Sequence, residues 1–146
     1  MVTIDDLGIL RDVCQDGSTL VVTITPTYSG CPAIGAIRAD IDAALRDGGF
    51  DHVEVRTALD PPWTTDWVSA DGRRKLAEHG ISPPQHGTVR VSGPVPLTLT
   101  MPHRILACPQ CGSSDTDETS RFGSTACKSL HQCRTCGEPF EHVKEI

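Results

Sequence analysis

Thiols at two spacings carry the chemistry of this 146-residue chain. Cys108-Pro-Gln-Cys111-Gly and Cys133-Arg-Thr-Cys136-Gly are matched C-x-x-C-G pairs with 21 residues between them. Two such pairs can close a tetrahedral metal site, and a glycine after each second cysteine permits the tight turn that aims backbone N–H groups at the sulfurs. Zinc is the favoured occupant. A mononuclear iron on the same four thiolates satisfies the same spacing. The alternative, two disulfides or idle cysteines, suits an oxidising compartment. A segment of about 40 residues seldom folds on an apolar core alone, so the metal is expected to supply its stability, with Phe122 and Phe140 as a minimal filling.

Three cysteines stand outside the pairs. Cys127, in Phe122-Gly-Ser-Thr-Ala-Cys-Lys128, reads either as a small buried hydrophobe of the hairpin or as a free thiol close to the metal, which Lys128 would help to ionise. Cys31 precedes the best helical pattern in the chain. There it is either a structural N-cap or a thiol activated by the helix terminus as a nucleophile or soft-metal ligand, with Thr27 four residues earlier as a donor. Cys14 ends a strand and reads as a core residue. His131 is a possible ligand by type, but as a hairpin position it reads as surface. The remaining histidines, His52, His79, His86, His103 and His142, show no ligand spacing and read as solvated. Trp63 and Trp67 form either a stacking platform, a core anchor or an exposed partner patch.

The elements that position these thiols follow from periodicity. Ile9–Cys14 and Thr19–Thr25 read as an antiparallel pair joined at Asp16-Gly17, with Leu20, Val22 and Ile24 on one face. Ile34, Ile37, Ile41, Ala44 and Leu45 recur at helical spacing, so a helix is expected over 32–47, with Pro32 in its first turn and Gly48-Gly49 as its stop. His52–Leu59 alternates as a third strand. A short helix is expected over 69–79, ended by Gly80. Five prolines then cut residues 81–104 into a linker with at most brief strands at Thr88–Val91 and Leu97–Met101. The expected fold class is therefore α+β: a small β-β-α-β domain in residues 1–80, a proline-rich linker over 81–104, and a β-hairpin zinc ribbon over 105–146.

Charge narrows the partners. The net charge is −6, and both parts are acidic, with 9 basic against 13 acidic residues in 1–104 and 4 against 6 in 105–146. Nucleic-acid affinity rests on clustered Lys and Arg, so no nucleic-acid partner is expected. The sequence shows no apolar stretch near membrane-spanning length and no signal-peptide pattern, so no membrane partner and a cytoplasmic location are expected. Nucleotide-binding glycine motifs and the G-x-S-x-G of hydrolases are absent as well.

Five segments in order then carry a resemblance over essentially the whole chain: Asp6-Leu-Gly-Ile-Leu-Arg-Asp-Val13, Thr25-Pro-Thr-Tyr-Ser-Gly-Cys-Pro32, Pro61-Pro-Trp-Thr-Thr-Asp-Trp67, Phe122-Gly-Ser-Thr-Ala-Cys-Lys128 and the two C-x-x-C pairs. Together they resemble the PaaD family, encoded with the components of phenylacetyl-CoA ring 1,2-epoxidase. The N-terminal part is similar to the metal-sulfur cluster assembly domain shared with SufT-type maturation factors, and the C-terminal part to the zinc ribbon that distinguishes PaaD.

The resemblance implies an accessory role in aerobic phenylacetate catabolism rather than catalysis. Such a protein would assist assembly of the iron-sulfur or di-iron centres of the oxygenase system, with the oxygenase and reductase subunits as partners. It also implies that Cys31 and Thr27 are the working pair of the assembly domain, holding a transient cluster or iron, and it strengthens a functional reading of Cys127. A non-catalytic scaffold that binds the oxygenase through the ribbon and the Trp63/Trp67 segment is the alternative. A thiol enzyme using Cys31 lacks a general base nearby in sequence. Family members usually carry a helix and an Asp-Pro-Glu segment before the Asp-Leu-Gly strand, so the resemblance implies either residues upstream of Met1 or an apolar wall for a partner to cover.

Overall fold

The computed structural model describes residues 1–85 and 105–145, and these form two compact units that divide between Arg73 and Arg74. The expected strands at 88–91 and 97–101, with His86, His103 and most of the linker, lie outside the described residues.

In the first unit, β1 (Leu10–Asp16) and β2 (Thr19–Ile24) are antiparallel, and β3 (Val53–Thr57) pairs with β2 in parallel, giving the order β1-β2-β3. Parallel neighbours need a crossover. It is supplied by α1 (Ile34–Asp47), whose Ile34, Ile37, Ile41 and Leu45 pack, as Val55 of β3 does, on the buried cluster of Ile9, Val22 and Ile24. The β-β-α-β order expected from periodicity is present. The tight turn lies one residue later than expected: Asp16 pairs with Thr19, so the turn residues are Gly17 and Ser18, and Gly17 takes the positive φ of +59°. Pro32 falls just ahead of the helix, whose N-cap is Ala33.

Burial follows position in the sheet more than parity along the strand. The central strand is covered at Val21, Val22 and Ile24, at 2%, 3% and 0% exposure. The edge strand β1 is exposed along nearly its whole length. A bulge at Arg11 interrupts the β1–β2 register between Leu10 and Asp12. Bulges re-aim side chains, and here the Arg11 guanidinium lies 3.5 Å from the centroid of the Trp67 ring. Thr3 and Asp6 form a reciprocal box: Thr3 N–H donates to Asp6 Oδ2 at 2.9 Å, and Asp6 N–H to Thr3 Oγ1 at 3.1 Å. Thr-x-x-Asp is the spacing that such a box requires. Trp63 is buried, with its indole N–H donating to the Leu7 carbonyl at 2.9 Å, and the Asp60–Pro61 bond beside it is cis. Trp63 is thus a core anchor, while Trp67 is half-buried beneath Arg11.

Helix α2 (Ala70–Glu78) begins at Ser69, whose Oγ accepts from Gly72 N–H at 2.9 Å. The division between the units falls within it.

The second unit holds a four-stranded sheet in the order β4-β7-β6-β5, built from β4 (Ile81–Ser82), β5 (Thr116–Ser120), β6 (Lys128–Cys133) and β7 (Pro139–Val143). β5, β6 and β7 are antiparallel neighbours, and β4 runs parallel to β7. The first residues of the expected linker, Ile81 and Ser82, are therefore strand residues that pair with the ribbon's last strand. Among the described residues no helix is long and apolar enough to cross a membrane.

Candidate metal centre and loop thiols

Two turns of like build shape the two cysteine pairs, and the β5–β6 pairing of Thr116 with Cys133 brings the pairs to one another. Gly112 N–H donates to the Cys108 carbonyl at 2.8 Å and Gly137 N–H to the Cys133 carbonyl at 2.9 Å, and both glycines sit at positive φ, +75° and +78°. A side chain at either position would resist that backbone. Cys108 Sγ lies 3.8 Å from Cys136 Sγ, Cys111 Sγ lies 3.6 Å from Cys133 Sγ, and all four sulfurs fall within 4.8 Å of one another. A tetrahedron with metal–sulfur arms of about 2.3 Å has edges of about 3.8 Å, so the spacing fits a four-thiolate ion.

Electrostatics agrees with geometry. Backbone N–H groups of Cys136 and then Thr135 point at the Cys133 sulfur and lower its pKa to about 6. For Cys136 the N–H of Glu138 is the largest single influence and lowers the pKa, but burial and the neighbouring Cys111, Cys133 and Cys108 side chains outweigh it and push it up to about 12. One thiol in this group ionises readily, and its neighbour then holds its proton. Only a cation makes four adjacent thiolates compatible. The four residues are a metal-binding group by distance and by donor chemistry.

The apolar support behind this group is slight. Cys108, Cys133 and Phe140 form one buried cluster. The expected second aromatic, Phe122, is instead 66% exposed, because it sits at the tip of the β5–β6 hairpin rather than within the sheet. Histidines take its role. His131, expected at the surface, is buried and stacks on Phe140 at a centroid distance of 5.6 Å. His142, expected to be solvated, is buried edge-on to His131 at 5.7 Å. Both rings find polar partners inside the unit: His131 Nε2 bonds Ser129 Oγ at 2.9 Å, and His142 places Nδ1 3.2 Å from the Ser82 carbonyl and Nε2 3.3 Å from Glu145. Burial lowers the pKa of His131, which favours the neutral ring there. His131 serves this core and is not among the four grouped ligands.

The other cysteines lie apart from the four. Cys14 is exposed, contrary to the expected core position, because β1 is an edge strand with little packed over it. Cys31 is half-buried in the turn that leads into α1: its N–H donates to the Tyr28 carbonyl at 3.2 Å, and its own carbonyl accepts from Ile34 N–H at 3.3 Å. It is not the N-cap, which falls two residues later. Thr27, in the same loop, lines an open depression of about 270 Å³ together with Tyr28, Leu59, Pro62 and Trp63.

Cys127 is half-buried in the hairpin loop, 3.1 Å from Thr125 Oγ1. The side chain of Lys128, next to it in sequence, is engaged by an acid. Its ammonium pairs with Glu141, and the same carboxylate accepts from Ser124 N–H at 3.0 Å. Glu141 thereby pins the loop that carries Cys127, a role that no spacing in the sequence signals.

A pH dependence follows. Burial is the largest influence on Glu141 and raises its pKa, but hydrogen bonds from Lys128 and Ser124 outweigh it and hold the carboxyl below its ordinary value. The stability it adds is full above about pH 4.5 and is lost as pH falls through the folded value. With the two partners only 20% and 23% exposed, Glu141→Gln is expected to cost about 1 kcal/mol at pH 7. The difference between the two chains should vanish in acid, as read by paired urea unfolding curves across pH. A difference independent of pH would refute the assignment.

Residues 2–57 match the family described as "Iron-sulfur cluster assembly protein", and residues 92–144 match the "PaaD zinc beta ribbon domain". A domain of unknown function, DUF59, from Bacillus anthracis is 32% identical, covers 51% of this chain and 74% of its own, and superposes with a TM-score of 0.48. A protein of Escherichia coli (strain K12) that bears the name of the D component of 1,2-phenylacetyl-CoA epoxidase is 44% identical over all 146 residues of this chain, which span 83% of its length. With an assembly domain, a four-cysteine ribbon and a relative of that closeness over its full length, the chain belongs to the PaaD family of phenylacetyl-CoA epoxidase components.

Proposed function

We propose that this chain is a maturation factor of a phenylacetyl-CoA epoxidase, acting in the cytoplasm on the oxygenase and reductase subunits and not itself catalysing the epoxidation. In this reading the β-β-α-β part within residues 1–80 is the assembly domain, and the four-cysteine part within 105–146, whose sheet Ile81 and Ser82 also join, is the ribbon. Cys108, Cys111, Cys133 and Cys136 hold a structural zinc, and an iron ion or iron-sulfur cluster is the cargo.

The observation that carries the reading is the contrast between the two kinds of thiol site. The ribbon thiols form a complete four-ligand set with nothing left over for an incoming protein. Cys31 stands in a surface loop of the part that matches the assembly family, and the same loop lines the depression through Thr27. A cargo that must leave needs an incomplete, accessible ligand set, because transfer proceeds by ligand exchange. Cys31 offers a sulfur ligand for that exchange and Thr27 a hydroxyl donor in the same loop, while Cys127 is a further soft ligand on the ribbon. Zinc is preferred in the ribbon because it forms redox-inert tetrahedral sites that serve folding.

Anaerobic reconstitution with ferrous iron and sulfide tests this. Wild type is expected to gain visible iron–thiolate absorption, and Cys31→Ala to lose most of it while keeping its zinc. Iron uptake by Cys31→Ala equal to that of wild type would overturn the proposal.

A further inference from the structure

We infer that the tip of the β5–β6 hairpin, with Phe122 at its apex, is a docking surface for a protein partner that presents an apolar pocket rimmed by carboxylates. The inference rests on the accessory reading above and names the surface by which the partner is held.

A single exposed aromatic is ordinary on a protein surface. What distinguishes Phe122 is how it is held. Its N–H donates to Ser120 Oγ at 3.2 Å, its carbonyl accepts from the same hydroxyl at 2.9 Å, and the next residue, Gly123, donates to the Lys128 carbonyl at 2.8 Å. The far side of the loop is tied as well: Lys144 N–H donates to the Cys127 carbonyl at 3.0 Å and Lys144 Nζ to the Ala126 carbonyl at 2.9 Å. Gly123 is packed tightly, since a Cβ there would stand 3.0 Å from Glu141 Oε1 and 3.3 Å from Lys128 Cβ. The ring is thus presented on a backbone with little freedom left to lose. Preorganisation of that kind is what lets an aromatic act as an anchor, because the ordering cost is met before binding.

Charge indicates what the pocket must look like. The chain as a whole carries −6, yet residues 120–128 contain Arg121 and Lys128 and no acidic side chain. Lys128 is neutralised by Glu141, and Arg121 faces Glu118 at 3.7 Å. Lys144 is placed differently: its ammonium lies 4.4 Å from the centre of the Phe122 ring and bonds a neutral carbonyl rather than a carboxylate. The tip is therefore an aromatic ring beside a cation on an otherwise acidic molecule. Its complement is an apolar cavity with acidic groups at its edge, which would steer the encounter and set its orientation. A lipid surface fits less well, since about 1 kcal/mol per cation and one ring give only weak attachment.

The test uses the full-length, metal-loaded chain titrated against the purified oxygenase and reductase proteins of a phenylacetyl-CoA epoxidase, by interferometry at low and physiological salt. Phe122→Ala is expected to weaken binding about 30-fold, as loss of an anchor does. Lys144→Gln keeps a donor for the Ala126 carbonyl, and it is expected to slow association and flatten the salt dependence. Both variants should keep the wild-type metal content and melting temperature. Binding by Phe122→Ala within twofold of wild type overturns the docking surface and leaves the accessory reading standing. Failure of wild type to bind either protein overturns both. Attachment only to phosphatidylserine vesicles, lost in Phe122→Ala, overturns the protein partner in favour of a membrane.

Discussion

Replacing Cys133 with alanine is expected to release the ribbon metal and unfold β5, β6 and β7, while β1–β3 and α1 remain folded. The reason lies in what the ribbon is made of. Its buried cluster beside the metal site comprises Cys108, Cys133 and Phe140, so two of its three members are themselves ligands. Without the ion, that cluster is too small to offset the entropy of ordering the strands around it. Cys111→Ala separates the two contributions. Cys111 is exposed, so its loss removes a ligand and no core side chain. If the metal holds the fold, Cys111→Ala loses sheet signal and metal in the same way, and excess chelator reproduces both in wild type. Circular dichroism with metal analysis reads the result, and amide resonances of Val22 and Ile24 report that the first unit survives. An intact C-terminal sheet in the metal-free protein would overturn the structural role of the site.

The sequence discloses most of what is local and little of what is tertiary. Ile34, Ile37, Ile41 and Leu45 recur at helical spacing and do face the core. Each C-x-x-C-G pair needs only its own turn to form, and the β5–β6 pairing of Thr116 with Cys133 then brings the two pairs to metal-binding distance. Periodicity states which residues share a face, however, and not whether that face is covered. Cys14 alternates like a core residue but lies on an edge strand, where it is exposed. Phe122 and His131 exchange their expected places for the same kind of reason. Phenylalanine is the more apolar of the two, but the hairpin puts it at the tip and the histidine in the pleat, where Phe140 and Ser129 accommodate it. Glu141 and Lys128, 13 residues apart in sequence, meet only because β6 and β7 are neighbours. The working role proposed for Cys31 and Thr27 rests on the family resemblance, since spacing alone leaves a loop cysteine undecided between structural and working roles.

Gly8→Ala is expected to destabilise the first unit severely, and the geometry allows the causes to be told apart. Gly8 sits at φ +65°, and an added Cβ would lie 2.5 Å from Trp67 Cβ and 2.6 Å from the Trp67 carbonyl oxygen. The left-handed backbone alone costs an L-residue roughly 1–2 kcal/mol. The overlap adds more, because the obstruction is backbone and Cβ rather than the end of a flexible side chain, and overpacking of this kind typically costs about 1–3 kcal/mol. The neighbourhood cannot yield cheaply: the Leu7 carbonyl takes the Trp63 indole bond, the Asp6 carbonyl accepts from Ser69 N–H at 2.9 Å, and Arg11 covers one face of the Trp67 ring. Gly17 supplies the control. Its φ is +59°, nearly the same, but nothing lies within 4 Å of its added Cβ. Gly17→Ala should therefore show the conformational cost alone, a fall in Tm of about 4–8 °C per kcal/mol for a unit of this size, and Gly8→Ala a fall at least twice as large. Equal losses in the two variants would mean that the Asp6–Gly8 segment does not pack on Trp67 in solution. A larger loss at Gly8 would establish that the segment is closed against the Pro61–Trp67 stretch, whose Pro62 and Trp63 line the depression beside Thr27.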